Sequence, residues 1–425
     1  MKDYNKMLEQ MAFETKESAV ILRTMSTKAK NRLLLAIGQQ LKNFEAAILD
    51  ANQKDMSNAK EKGTSEAMLD RLKLDSGRIQ GMIDGIHQTI ALKDPVGTVD
   101  GMWVNDAELK IGAKRVPLGV IGIIYESRPN VTVDAATLCL KTGNACILKG
   151  GKEAVYTNAV LVEAIQEALK SQALPTACVS FISSSDRELL KSLLASKALD
   201  CVIPRGGAGL IQFVVENAQV PVIETGTGNC HIFVDEAYPI DNAIDIIVNS
   251  KVQKPGACNA VETVLIHEKS LSALLLPLSE ALASHNVTMA LCEKCHAQLN
   301  NHNKLTDKMY LATEYDWETE YLDYKLAIKS VADIKEAIDH IEAYSTHHSE
   351  AILTETYSHS EYFLDHVDSA AVYVNASTRF TDGNQFGFGA EIGISTQKLH
   401  ARGPMGLEAL TTIKYVIYGN GQTRD

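Results

Sequence analysis

One cysteine of this sequence stands in a context suited to covalent chemistry. Cys258 lies in the segment KPGACNA, where Pro255 and Gly256 come shortly before it and Asn259 follows it. Small neighbours leave space for a substrate, and the backbone amides of such a turn can stabilise a thiolate or an oxyanion. The segment therefore indicates a nucleophilic thiol. The alternative is a buried structural thiol, which is the usual interpretation of an isolated cysteine.

A glycine turn and a lysine follow two apolar runs and are typical of sites for phosphate or ribose. The run CVIP leads into RGGAG, which includes Gly206 and Gly207, and then into a helical pattern. The amides and dipole of such a helix N-terminus favour a phosphate. Lys149 ends the run ACILK and can meet a ribose hydroxyl or a phosphate. A tight turn and a solvated lysine are the alternatives.

Polar residues follow two further apolar runs. Arg128 and Asn130 come after VIGIIYE, and Glu224 ends the run PVIE ahead of the sequence TGTG. The carboxyl ends of parallel strands meet at one edge of a sheet, so these residues are expected at the same edge as the glycine turn. This arrangement predicts a cleft that can hold a dinucleotide against a reactive group.

The elements that must position these residues change character along the chain. The first ninety residues are predicted to be helical, since apolar side chains from Leu34 to Ile48 recur at three- and four-residue steps. Ser26 and Thr27 precede this run as candidate caps. From about residue 96, short apolar strands alternate with helices, which predicts a doubly wound parallel sheet. The runs CVIP, PVIE and HIFVDE are assigned to this first series of strands.

A second series of strands and helices is predicted from about Ala260. Its strands are AVETVLIH, YKLAIKSV, EAILTE and AAVYVNAS, with helical patterns between them. The last strand, TTIKYVIYG, has no helix after it. Such a strand usually completes a sheet elsewhere, often in a neighbouring subunit.

Two histidine- or cysteine-containing motifs are interpreted as structural. Cys292 and Cys295 belong to the sequence CEKCH, which matches c-type haem attachment, and His285 or His302 would have to complete a zinc site. Neither spacing is familiar, so the sequence predicts no metal site, and we interpret CEKCH as a polar loop. The segment THHSE at 346–350 is interpreted as a turn before a strand, with substrate contact as the alternative.

Composition excludes several classes of protein. The 425 residues are too many for one ordinary core, and 45% hydrophobic with 22% charged residues are typical of a globular protein. The formal charge of −12 argues against a general nucleic-acid binder. The densest apolar run, Val116 to Tyr125, has about half the length that a membrane-spanning helix needs. With no export signal, the eight cysteines are expected to be reduced thiols in the cytoplasm.

Taken together, these segments resemble the aldehyde dehydrogenase superfamily over nearly the whole chain. The segments that carry the resemblance include VPLGVIGIIYESRPN, CVIPRGGAGL, VIETGTGNCHIFVDE, KPGACNAVETVLIH, NASTRFTDGNQFGFGAEIGIST and KLHARGPMGLEALTT. The last two are most similar to the branch of the superfamily that reduces an acyl phosphate. The resemblance implies an α/β fold with two doubly wound α/β domains and a small β element for oligomerisation.

The resemblance also implies how the chain is divided. Residues 1–96 and 117–224 would form the dinucleotide-binding domain, and residues 225–409 the catalytic domain. Residues 97–116 and 410–425 would form an oligomerisation ribbon. A homo-oligomer, at least a dimer, is implied.

Catalytic roles follow from the resemblance residue by residue. Cys258 matches the nucleophile of the superfamily, and Asn130 matches the side-chain amide that stabilises the oxyanion. Glu224 falls at the position of the glutamate that activates water in aldehyde-oxidising relatives. Reduction of an acyl phosphate needs no activated water, so Glu224 is assigned to the cofactor-binding residues instead.

Cofactor contacts are implied in the same way. Lys149 matches the lysine that contacts the adenosine ribose, and Glu320 matches the glutamate that holds the nicotinamide ribose, although Glu318 is a close alternative. Gly206 and Gly207 are assigned to the phosphate turn, which is shorter here than is usual in the superfamily.

The resemblance implies NADPH-dependent reduction of L-glutamyl 5-phosphate to L-glutamate 5-semialdehyde through a thioester, a step of proline biosynthesis. Because the substrate is anionic, Arg128, Arg379 and Arg402 are the candidates to bind it. The alternatives are NAD-linked oxidation of a free aldehyde and a catalytically silent ligand-binding protein. The preference for NADP(H), and association with the glutamate 5-kinase that would supply the substrate, come from the resemblance alone.

Overall fold

A computed structural model describes residues 2–184 and 186–424 of the chain, which divides into two compact units. The first unit runs to Thr225 and also takes in Gly387–Gly393 and the chain from Pro404 onward. The second unit consists of Gly226–Phe386 and Ile394–Gly403. The glycine turn and Lys149 belong to the first unit, and Cys258 belongs to the second.

The α-helices within the described residues are α1 (Lys2–Arg23), α2 (Thr27–Asn43), α3 (Glu45–Glu61), α4 (Glu66–Leu72), α5 (Ser76–Ala91), α6 (Asn130–Lys141), α7 (Val155–Ser171), α8 (Arg187–Leu194), α9 (Ala208–Asn217), α10 (Ile240–Val252), α11 (Glu268–Ser284), α12 (Glu293–Asn301), α13 (Glu314–Glu318), α14 (Ile334–Tyr344) and α15 (Tyr357–His366).

The strands within the same residues are β1 (Val99–Val104), β2 (Lys110–Pro117), β3 (Val120–Tyr125), β4 (Ala145–Lys149), β5 (Val179–Phe181), β6 (Cys201–Arg205), β7 (Cys230–Val234), β8 (Val261–His267), β9 (Thr288–Leu291), β10 (Met309–Leu311), β11 (Lys325–Val331), β12 (Ser349–Leu353), β13 (Ala371–Val374), β14 (Ile394–Ser395), β15 (Gly403–Pro404) and β16 (Thr411–Tyr418).

The first unit is built on a four-stranded parallel sheet in the order β5-β4-β3-β6. Every residue of β3 is buried, as its continuous apolar sequence predicts. The predicted helical start of the chain is confirmed: Leu34, Ile37 and Leu41 of α2 are fully buried. Of the two candidate caps, Ser26 is confirmed, since its hydroxyl accepts a hydrogen bond from the Ala29 amide at 3.3 Å. Thr27 is the first residue of α2 and its hydroxyl donates to Asp94 instead.

The second unit contains a parallel sheet in the order β10-β9-β11-β8-β7-β12-β13. Its central strands β7, β8 and β12 are buried along their whole length. The assignment of HIFVDE to the first series is wrong, because this segment forms β7 at the centre of the second sheet. The run PVIE does not form a strand either, and pairs through a single bridge from Val222 to Val202.

A three-stranded antiparallel sheet of β1, β2 and β16 lies in the first unit. It joins the two segments predicted to form the oligomerisation ribbon, and that role stays a prediction. Several of its large apolar side chains are exposed: Trp103, Val104, Tyr415, Ile417 and Tyr418. No helix within residues 2–184 and 186–424 has the length and apolar character that a membrane crossing requires.

Candidate active site

Cys258 lies in a tight turn between α10 and the buried strand β8. The turn is closed by hydrogen bonds from the Ala257 amide to the Lys254 carbonyl at 3.1 Å and from the Ala260 amide to the Ala257 carbonyl at 3.0 Å. The thiol is half-buried, whereas six other cysteines are buried. Cys258 therefore combines a fixed backbone with partial exposure.

The Cys258 turn rests directly on a glycine. A Cβ atom on Gly228 would lie 1.5 Å from the Cys258 carbonyl oxygen and 2.7 Å from its Cα atom. The same carbonyl accepts a hydrogen bond from the buried thiol of Cys230 at 3.2 Å. No side chain fits at position 228, so this glycine is required by the close approach of two backbones.

The segment that carries Gly228 is tied in turn to the end of α14. The Thr346 hydroxyl donates to the Thr227 carbonyl at 2.6 Å and accepts from the Asn229 amide at 3.0 Å. The Asn229 side chain donates to the Trp317 and Tyr344 carbonyls at 2.7 and 2.8 Å. The interpretation of the segment at 346–350 as a structural turn agrees with these contacts.

The other side of the Cys258 turn is held by the segment that carries Arg379. Asn259 donates to the Thr381 carbonyl at 2.9 Å, and its own carbonyl accepts from the Thr378 hydroxyl at 2.6 Å. Arg379 Nε donates to Gln253 Oε1 at 2.8 Å. Burial lowers the pKa of Arg379, and the negative charge of a Cys258 thiolate acts in the opposite direction. The Arg379 segment is thus fixed against the Cys258 turn by the hydrogen bonds of Asn259.

Glu320 is brought to the Cys258 turn through Gly228. Its carboxylate accepts a hydrogen bond from the Gly228 amide at 2.7 Å. Glu318, the alternative at the sequence level, is exposed at the end of α13. The contact favours Glu320 as the residue that acts at this site.

A buried carboxylate, Asp316, fixes the segment that leads to Glu320. Asp316 accepts hydrogen bonds from Tyr310 Oη at 2.5 Å, from the Thr313 amide at 2.9 Å and from Tyr321 Oη at 2.9 Å. Burial alone would raise the pKa of Asp316, but these hydrogen bonds stabilise the carboxylate and lower the pKa to about 2.

A fully buried ion pair spans the base of the Cys258 turn. Lys251 Nζ, in the last turn of α10, lies 2.5 Å from Glu262 Oε2 in β8, and neither side chain is exposed. Glu262 also accepts from the Leu322 amide at 3.2 Å. Burial raises the pKa of Glu262 to about 7 and lowers the pKa of Lys251, while their mutual attraction opposes both effects. The pair links both ends of the turn to the Glu320 segment.

In the first unit, Asn130 begins α6 and is oriented by a carboxyl group one turn later. Asn130 Nδ2 donates to Asp134 Oδ2 at 2.9 Å. Burial raises the pKa of Asp134 to about 6, although the Asn130 amide and the charge of Arg205 act in the opposite direction. The predicted oxyanion donor is therefore held in one orientation by Asp134.

Lys149 lies at the carboxyl end of β4, where its Nζ donates to the Gly150 carbonyl at 2.9 Å. Burial lowers the pKa of Lys149, and the charges of Glu153 and Glu126 act to raise it. Glu126 Oε2 also accepts from the Gly207 amide at 3.2 Å, at the N-terminus of α9. A carboxylate thus occupies part of the anion-binding position that the glycine turn predicts.

The remaining predicted residues have other surroundings. Arg402 donates to the Asp368 carboxylate at 2.7 Å and to its carbonyl at 2.6 Å, and Lys398 pairs with the same carboxylate. Arg128 precedes α6, and Glu224 is half-buried between β6 and β7. Their predicted roles stay predictions.

The motif CEKCH is not a polar loop, and that interpretation is wrong. Cys292 precedes α12, and Cys295 is fully buried within the first turn of this helix. Among the residues that the structure describes, no three His, Cys, Asp or Glu side chains come together as a possible metal site.

Sequence reasoning missed several positioning residues. Asp134 could have been found, because a carboxylate four residues after Asn130 on a helix is a natural partner. Gly228 and Thr346 give no comparable signal, since they approach Cys258 only through the folding of the second unit.

The sequence is similar to those of known proteins. The model of the aldehyde dehydrogenase family matches residues 2–307. A γ-glutamyl phosphate reductase of Moorella thermoacetica is 55% identical over 410 residues, which is 96% of this chain and 96% of that protein. One from Clostridium perfringens is 54% identical over 412 residues, covering 97% of this chain and 98% of that protein.

Solved structures match as well. The crystal structure of a γ-glutamyl phosphate reductase from Thermotoga maritima has a TM-score of 0.94 and 49% identity, covering 98% of this chain and 100% of that one. An acetylating aldehyde dehydrogenase from Geobacillus thermoglucosidasius, at 16% identity and a TM-score of 0.71, shares the fold over 100% of this chain and 98% of its own.

Proposed function

This chain belongs to the aldehyde dehydrogenase family and, within it, to the γ-glutamyl phosphate reductases, and we propose that it reduces L-glutamyl 5-phosphate to L-glutamate 5-semialdehyde with release of phosphate. The observation that carries this proposal is the half-buried Cys258 in a turn fixed against Gly228. The reaction is a step of proline biosynthesis.

The chemistry begins at the Cys258 sulfur. The thiolate attacks the carbonyl carbon of the acyl phosphate, and the resulting oxyanion is stabilised by the Cys258 amide and, from the resemblance, by Asn130. Collapse of the tetrahedral species expels phosphate and leaves a thioester on Cys258. The reduced nicotinamide, when bound, supplies the hydride that converts this thioester to a thiohemiacetal. Loss of the Cys258 thiolate then releases the aldehyde.

A nicotinamide dinucleotide fits the residues of the first unit. Cβ atoms on Gly207 and Gly209 would meet nothing within 4 Å, so there is space around these two residues at the N-terminus of α9. The Glu126 carboxylate, which accepts from the Gly207 amide, would have to move aside for a phosphate. The amides and dipole of this helix N-terminus would hold a phosphate group, and Lys149 would contact the ribose or a 2′-phosphate. We propose NADPH as the cofactor and Glu320 as the contact to the nicotinamide ribose. Glu320 is supported by its hydrogen bond to Gly228.

Glu224 has no proposed catalytic step, because phosphate itself is the leaving group. An activated water would hydrolyse the thioester and waste the bound substrate. We therefore propose that Glu224 acts on the cofactor side of the site.

Binding of the anionic substrate needs local positive charge in a protein of net charge −12. Arg379 is the best supported of the three candidates, since its segment holds the Cys258 turn through Asn259. Arg402 is already engaged by Asp368, which makes it the weakest candidate. We propose that Arg379 and Arg128 bind the phosphate and the α-carboxylate.

We propose that the chain forms at least a dimer through the sheet of β1, β2 and β16. The support is the exposed apolar surface of this sheet, which includes Trp103, Tyr415 and Ile417. A cytoplasmic location is proposed because the eight cysteines are free thiols. Association with glutamate 5-kinase is a further proposal, from the resemblance alone.

The test is the reverse reaction, semialdehyde plus NADP, with and without inorganic phosphate. We expect sustained NADPH formation only with phosphate, and none from Cys258→Ala. Cys292→Ser is the matched control, since Cys292 is the other half-buried cysteine, and it should retain activity. Sustained turnover without phosphate would instead indicate a hydrolytic aldehyde dehydrogenase. Activity in Cys258→Ala would exclude the thioester route.

A further inference from the structure

A second pair of cysteines lies in the second unit, outside the contacts that hold Cys258. Strand β9 ends at Leu291, Cys292 is the N-cap residue of α12, and Cys295 lies in the first turn of that helix. Strands β9 and β10 are parallel neighbours, so β9, α12 and β10 form a βαβ unit with the pair at its first turn. The sequence C-x-x-C at this place in a βαβ unit is typical of a redox dithiol.

The two sulfurs have different environments. Cys292 is half-buried and its sulfur accepts a hydrogen bond from the Ser330 amide at 3.4 Å. Cys295 is fully buried. Residues three apart in a helical turn have Cβ atoms about 5–6 Å apart, whereas a disulfide needs about 3.5–4.5 Å. Closing the bond therefore requires a shift of the backbone in the first turn of α12 as well as rotation of both side chains. An accessible first thiol and a buried second thiol are the arrangement that disulfide exchange requires.

The electrostatics support the same division of roles. Hydrogen bonding from the Cys295 thiol, followed by that from the amides of Ser330, Cys295 and Lys294, lowers the pKa of Cys292 to about 6 against the effect of burial. The same hydrogen bond, together with burial, raises the pKa of Cys295. Both effects favour the thiolate at Cys292 and the protonated thiol at Cys295.

An open cleft of about 520 Å³ lies along α12 and provides room for a small ligand, although neither cysteine lines it. It is lined by residues of α11, α12 and β11, including Glu268, Lys294, Gln298 and Ser330. Ser330 is only 6% exposed, and among the described residues its hydroxyl has no hydrogen-bond partner. Ser330 thus connects the lining of the cleft with the backbone amide that holds Cys292.

We propose that Cys292 and Cys295 form a dithiol that exchanges with low-molecular-weight disulfides, at a site separate from Cys258. The Cys292 thiolate attacks one sulfur of the small disulfide, whose S–S bond breaks as a mixed disulfide forms. The thiolate that leaves takes the proton of Cys295. Cys295 then attacks the Cys292 sulfur, expels the second thiolate and closes the protein disulfide. The two electrons pass from the cysteines to the small disulfide.

The experiment uses the full chain in a Cys258→Ala background, so that the proposed catalytic thiol cannot react. The protein is incubated with glutathione disulfide at neutral pH, and its peptides are mapped by mass spectrometry. We expect a disulfide between Cys292 and Cys295 in the chain with both cysteines. With Cys295→Ala, a glutathione adduct should remain on Cys292, and with Cys292→Ser the segment should stay unmodified.

Two outcomes would overturn the proposal. One is a chain with both cysteines in which neither Cys292 nor Cys295 is modified. The other is an adduct on Cys292 that accumulates equally with and without Cys295, which would show that Cys295 does not resolve it. If Cys295→Ala does not fold, the more conservative Cys295→Ser takes its place, and the map of the chain with both cysteines decides by itself. The outcome does not depend on the reductase assay, so the two proposals fail separately.

Discussion

Replacing Gly228 with alanine tests whether the position of the Cys258 turn controls catalysis. The new Cβ would lie 1.5 Å from the Cys258 carbonyl oxygen, whereas ordinary contacts begin at 3.4 Å. Since the obstacle is backbone, one of the two segments must move by about 2 Å. Misplacing a reacting group by about 1 Å can lower the rate about 10²-fold. We therefore expect Gly228→Ala to lower kcat by at least about 10²-fold, which corresponds to an activation free energy higher by about 2.7 kcal/mol.

The assay for Gly228→Ala measures kcat in the phosphate-dependent reverse reaction together with the midpoint of thermal unfolding. Overpacking is expected to cost about 1–3 kcal/mol of stability, which leaves a folded protein for the kinetics. Gly85→Ala is the matched control, because a Cβ there meets nothing within 4 Å and the residue lies within α5. This control should keep its activity and gain slightly in stability. A folded Gly228→Ala protein with kcat within threefold of wild type would refute the reasoning.

Three further predictions concern the residues that support the turn. Lys251→Met leaves the buried Glu262 without its partner and should lower the free energy of unfolding, measured in urea, by about 3–5 kcal/mol. The double variant with Met at both positions should recover most of this stability. Equal losses of stability in the single and the double variant would contradict the prediction. The folded-state pKa of Asp316 is below the ordinary value of 3.8, so its stabilising contribution is present above pH 3.8 and is lost as pH falls toward 2. Asp316→Asn should be less stable at pH 7 and show a flatter decline between pH 4 and pH 2; an unchanged pH profile of unfolding would count against this assignment. Glu320→Ala leaves the Gly228 amide without this acceptor and should raise the KM for NADP. Glu320→Gln should retain the hydrogen bond and change the KM less. Equal KM values in the two variants and the wild type would exclude a contact between Glu320 and the cofactor.

The elements that could be predicted from sequence are those with a strong local pattern. The apolar stripe of α2 and the continuous apolar run of β3 can be recognised in the sequence, because each pattern is complete within a few residues. Shorter elements could not be recognised in this way. Helix α12 begins within the polar run CEKCHAQLNN, which carries no extended apolar stripe, and the four residues PVIE form only one bridge.

The chemistry of the candidate site was predictable as residue types, but its geometry was not. The sequence KPGACNA drew attention to Cys258, and the glycine turn indicated an anion site. The contact of Gly228 with Cys258, thirty residues away, depends on how β7 and β8 pair. The choice between Glu320 and Glu318 likewise needed a hydrogen bond that only the folded second unit provides.

The central claim is that Cys258 carries the acyl group, and a reaction without phosphate tests it most directly. Semialdehyde and NADP are mixed with enzyme in the absence of phosphate, and the mixture is quenched rapidly with acid. We expect a burst of one NADPH per subunit and a glutamyl group added to the peptide that contains Cys258. Continuous NADPH formation with no acylated peptide, or acylation at another residue, would contradict the claim.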